Sequence, residues 1–88
     1  MGAVKTKQQI TVTGPGVERV YPLGSIGIAL SGATQHALAA QWAQRGKPAA
    51  EREEVTFYVR DPNGDVVGRS TYGATDGVVR TYLVREGK

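Results

Sequence analysis

Apolar and polar residues alternate through Val55-Thr56-Phe57-Tyr58-Val59-Arg60, the period of two expected of a strand with one buried face and one wet face. The next five residues carry turn chemistry. Asp61 can cap a turn, Pro62 pre-sets its φ, and Asn63-Gly64 readily supply a left-handed residue. Residues 54–67 therefore predict a β-hairpin.

The same alternation, in a stretch rich in β-branched residues, predicts a first strand over Gln9 to Thr13. Gly14-Pro15-Gly16 breaks it, and Val17 to Leu23 can return beside it. Pro22 lacks an N–H and so argues for an edge position or a bulge. A last strand is expected over Val78 to Val84, reached through the glycine-bracketed turn Gly73-Ala74-Thr75-Asp76-Gly77.

Helical signals concentrate in Ala33 to Arg45. Ser31 or Thr34 can serve as the N-cap, five alanines support the interior, and Gly46 followed by Pro48 stops it. Gln35, Leu38, Ala39 and Trp42 share one side, with Leu38 and Trp42 as the expected bulky anchor. Ala33, Ala37, Ala40 and Ala43 fill much of the other side, which suits close approach to a sheet or to a second helix. The preceding segment, Gly24 to Gly32, is apolar but carries three glycines, which predicts an irregular run that bends tightly onto the helix. It is no phosphate loop: the Gly-Lys-Ser/Thr ending and the Gly-x-Gly-x-x-Gly fingerprint are both missing. Lys47 to Glu54 reads as a polar linker.

These elements predict an α+β fold: a single small domain, order β-β-α-β-β-β, with one helix packed on an antiparallel sheet and the last three strands forming a meander. The domain is expected over residues 9–86, behind a flexible basic tail at residues 1–8.

Composition narrows the function. The chain of 88 residues has room for one core, and with 40% hydrophobic residues that core is thin. A homodimer, formed through the alanine side of the helix or an unpaired sheet edge, would relieve it. The chain has no cysteine, which excludes thiolate catalysis, disulfides and cysteine-ligated zinc, and suits a cytoplasmic protein. No apolar run approaches the roughly 20 residues needed to span a bilayer, so no membrane partner is expected. Richness in Ala, Gly, Val and Arg suits a bacterial, plasmid or phage genome. The net charge of +3 permits a nucleic-acid partner without requiring one.

Catalytic chemistry finds little support. His36 is the only histidine, and it falls among alanines with no second imidazole for a metal site. No serine has a nucleophile-elbow setting. Asp61 and Asp65 lack the later bidentate glutamate of a calcium loop. A non-enzymatic protein without cofactor or metal is expected.

The outward phase of the sheet is the stronger candidate. If Val55, Phe57 and Val59 point inward, Tyr58 and Arg60 point out. By the same alternation Arg69, Arg80 and Tyr82 join them on one surface. Aromatics interleaved with arginine can stack bases and neutralise phosphates, and Lys5 and Lys7 of the tail would add phosphate contacts. Tyr and Arg are also enriched where proteins dock, so an inhibitor or assembly factor could use the same face or a sheet edge. The third alternative is a solvated face whose arginine stems cover the tyrosine rings. No RNA-recognition signature is present.

Overall fold

The computed structural model describes residues 9–22 and 26–84. Two strands, β1 (Gln9–Gly14) and β2 (Val17–Pro22), precede one helix, α1 (Ile26–Ala43). A single 3-10 turn (Ala49–Glu51) then leads to β3 (Val55–Arg60), β4 (Val66–Tyr72) and β5 (Val79–Leu83). The five strands form one antiparallel sheet in the order β2-β1-β3-β4-β5, with α1 packed across one face. The expected β-β-α-β-β-β order and the closing meander are both present.

The turns follow their residues. Pro15-Gly16 closes the first hairpin with Gly16 at φ +71°, the left-handed second corner that Pro-Gly favours. In the β3–β4 turn the Asp61 carboxylate accepts from the N–H groups of Asn63 and Asp65, each at 2.9 Å. Gly64 there sits at φ +91°. The chain's proline-bearing strand, β2, is an edge strand, where a missing N–H leaves no ladder bond unmade.

The core lies between α1 and the inner phase of the strands. Ile10, Val12, Phe57, Val59 and Tyr72 supply its bulk, and Ala29, Ala33 and Ala37 bring the helix down onto them. The side of the helix containing Ala33 and Ala37 is thus covered by the protein's own sheet and is closed to a second copy.

Three helix expectations need correction. The helix begins at Ile26, seven residues before Ala33, so Gly27, Ser31, Gly32 and Thr34 are interior positions and neither Ser31 nor Thr34 is a cap. Packing explains the glycine at 32: the hydroxyl end of Tyr21 occupies the space a Cβ would need. That contact compensates for the roughly 1 kcal/mol a helical glycine costs against alanine. Finally, Trp42 is no anchor. It is 63% exposed, with the Arg45 guanidinium 4.1 Å from its ring centre.

Side-chain hydrogen bonds tie the layers together. Thr34 donates to Leu30 O at 2.9 Å and meets the Thr81 hydroxyl at 2.7 Å, which in turn lies 3.0 Å from that of the fully buried Ser70. Gln44, also buried, holds the linker through both ends of its amide: Nε2 donates to Glu53 O and Oε1 accepts from Glu53 N. Among the described residues no helix is long and apolar enough to cross a membrane.

Candidate nucleic-acid interface

The face of the sheet opposite α1 has no covering element among the described residues. Its side chains come from the outward phase of each strand, and register decides which ones meet. Glu18 pairs with Thr13, Thr13 with Tyr58, Tyr58 with Arg69, and Arg69 with Tyr82. One unbroken row therefore crosses all five strands, with directly opposite side chains close enough to touch. A second row sets Thr56 beside Thr71 and Thr71 beside Arg80. The Thr56 and Thr71 hydroxyls lie 3.0 Å apart.

Between these rows is a shallow depression of about 340 Å³, lined by Tyr58, Arg69, Arg80 and Tyr82 together with Glu54, Thr56, Thr71 and Gly73. Tyr58 is 37% exposed and Tyr82 is 43% exposed. Four of the five predicted sheet residues thus converge. Arg60 lies outside the depression but on the same face: its strand partner is Thr11, and a register shift sets in between Val59 and Arg60. Its Nε donates to Thr13 Oγ1 at 3.4 Å and its Nη1 to Gly64 O at 3.1 Å. Lys5 and Lys7 lie outside the described residues.

Each tyrosine has an arginine over its ring. Arg60 is 5.5 Å from the centre of Tyr58, and Arg69 is 5.0 Å from the centre of Tyr82. Such contacts set a cation beside each ring, and ring and guanidinium can each offer a flat surface to a base or another planar group. Arg80 has a different setting. Its Nη1 is 2.8 Å from Asp76 Oδ2. The hydrogen bond from Arg80, aided by one from the Val78 N–H, holds the Asp76 carboxyl below its ordinary range, and Asp76 in turn raises Arg80. Among the described residues this is the one salt bridge, so Arg60 and Arg69 are the arginines of the face that no described carboxylate holds, while Glu18 and Glu54 bring negative charge to its far strand and to the rim of the depression.

Sequence reasoning missed Thr13, Thr56 and Thr71 as members of the site. Thr56 and Thr71 share the phase of Tyr58 and Arg69, so their alternation was a usable signal. Thr13 enters only because β1 lies beside β3, an adjacency no local pattern announces.

A second depression, of about 350 Å³, sits at the C-terminal end of α1 between Trp42, Arg45, Arg52, Tyr72 and Asp76. Its residues are partly occupied with one another: Arg45 stacks on Trp42, and Arg52 Nε donates to Lys47 O. His36, half-buried on the covered side, stacks on Phe57 with ring centres 5.5 Å apart. No group of three or more metal-ligating side chains gathers among the described residues.

Comparison of the chain with protein-family models, with curated proteins and with solved structures gave no match. The geometry of the open face is therefore the ground for a functional reading.

Proposed function

We propose that the protein is a small non-enzymatic binding protein whose open sheet face engages single-stranded nucleic acid. One observation carries this reading: the Thr13–Tyr58–Arg69–Tyr82 row, which places two partly exposed rings and their arginines side by side on an uncovered sheet. Bases have flat faces for Tyr58 and Tyr82, and phosphates suit Arg60 and Arg69, with Arg80 at the margin. The threonine floor supplies hydroxyls that donate or accept, which suits recognition without a strict base preference.

A fluorescence-anisotropy titration with a labelled single-stranded oligonucleotide, repeated over a salt series, tests the proposal. Two or three arginine–phosphate contacts predict a slope of log K against log salt of roughly −1.4 to −2.1. Equal affinity for a rigid duplex, or a slope near zero, would sink it. A salt-insensitive partner captured on the same face would instead establish the competing reading, a protein-docking module such as an inhibitor or assembly factor.

A further inference from the structure

The sheet has two edges, and they are built differently. β2 carries Glu18, Arg19 and Pro22, the charges and missing N–H by which edges avoid pairing with other chains. β5 reads Val79-Arg80-Thr81-Tyr82-Leu83, with a single charge that Asp76 already holds. Its ladder with β4 is flanked by Gly73 N–H to Val78 O and Val84 N–H to Val67 O. Antiparallel alternation therefore turns the backbone groups of residues 78, 80, 82 and 84 toward β4, and those of Val79, Thr81 and Leu83 toward the outside. Among the described residues nothing pairs with that outer side. Leu83 stands there 53% exposed.

We infer that the β5 edge pairs, antiparallel and about a two-fold axis at Thr81, with β5 of a second copy of this chain. The sequence of the edge is self-complementary in that register. Thr81 meets its own copy, Val79 meets Leu83, and Arg80 meets Tyr82. Like charges never face one another. The exposed Leu83 gains an apolar neighbour on the helix side, and on the open side each arginine gains an aromatic ring. The backbone phase fits as well, because the residues with unused N–H and C=O groups, 79, 81 and 83, are the ones that exchange bonds in this register. The axis stands perpendicular to the sheet, so both helices lie on one side and both open faces on the other. The row Tyr58–Arg69–Tyr82 then runs on into Arg80 and Thr71 of the second copy, joining two faces into one. The pairing stands whether or not that face binds nucleic acid.

Five residues on each side bury less than a standard interface, so a weak dimer is expected, with a Kd of roughly 10 to 100 µM. Sedimentation equilibrium without nucleic acid tests this on three proteins. The wild type should associate, Leu83→Lys should weaken association at least tenfold, and Val20→Lys on the β2 edge should behave as wild type. Register is tested with single cysteines in a chain that has none of its own. Arg80→Cys and Tyr82→Cys should cross-link when mixed under mild oxidation, and far less when each is oxidised alone. Directly opposite positions of this kind lie about 4.5 Å apart between Cα atoms, within disulfide reach. A wild type that remains a 9.4 kDa monomer at 500 µM on the order of fifty times the tighter expected Kd overturns the pairing, as does equal loss in Val20→Lys or no preference for the mixed cross-link. A monomer that still binds oligonucleotide sinks the pairing alone, and a dimer that binds none sinks the face alone.

Discussion

The two faces of the sheet are drawn from alternate residues of the same strands, yet they are composed by opposite rules. On the covered face the sheet supplies the bulk, Ile10, Val12, Phe57, Val59 and Tyr72, and the helix answers with alanines. On the open face Thr13, Thr56, Tyr58, Arg69, Thr71 and Tyr82 are ordered by cross-strand pairing rather than by burial. Parity along a strand therefore separates two jobs. A substitution in the inner phase should change folding free energy, and one in the outer phase should change what the folded protein binds.

The severest test falls on the inner phase. Phe57→Ala removes a ring that packs over Gly14 and stacks on His36, and should cost about 3–5 kcal/mol. Urea unfolding measures it, and a loss below about 1 kcal/mol would mean that the core is organised elsewhere. Ala33→Leu probes the same layer from the other side. The added methylenes have no space between helix and sheet, so a loss of about 1–3 kcal/mol is expected; a stabilised variant would show that the layers are not in close contact.

Outer-phase changes should leave the unfolding midpoint nearly in place. Tyr58→Ala with Tyr82→Ala should reduce oligonucleotide affinity by about 1–3 kcal/mol for each base that loses its platform. Arg60→Ala with Arg80→Ala should weaken binding less and flatten its salt dependence, with a slope change of about 0.7 per phosphate contact removed. If every partner binds these variants as tightly as the parent, the face is only solvated.

The smallest effect concerns the acid limb. Asp76 has its carboxyl lowered from 3.8 by Arg80. A depressed folded pKa contributes stability above the unfolded value and loses it as pH falls through the folded one. Both groups are exposed, so the contribution is slight. Asp76→Asn should flatten the fall in stability between about pH 5 and pH 2, and an unchanged profile would show that the pair does not persist in solution.

Strand periodicity made most of this fold legible. Residues 55–60 announced both their conformation and the phase that faces inward, and Pro15-Gly16 and Asn63-Gly64 marked their turns. The first two turns of α1 were not legible, because Gly27 and Gly32 lower local helix propensity and the compensating contact, Tyr21 against Gly32, is tertiary. The Leu38 and Trp42 pair misled for a related reason: a wheel ranks residues by bulk, whereas a sheet already crowded with large side chains needs a helix of small ones. For the site, phase alone located Tyr58, Arg69, Arg80 and Tyr82. The row they share depended on register, including a shift between Val59 and Arg60 that no residue pattern marks.

The three hydroxyls of Thr34, Thr81 and Ser70 have a direction. Thr34 gives its one proton to Leu30 O, so toward Thr81 it can only accept. Thr81 must then spend its own proton on Thr34, and it accepts in turn from Ser70. The relay runs one way, from the buried Ser70 on β4 to the helix backbone, and no member can turn round without stranding the next. Thr81→Val would leave the Ser70 proton sealed inside without an acceptor. A β5 strand that lifted from the sheet would break the relay at its centre, so the outermost strand is keyed to the helix by the sense of its hydrogen bonds as well as by their number.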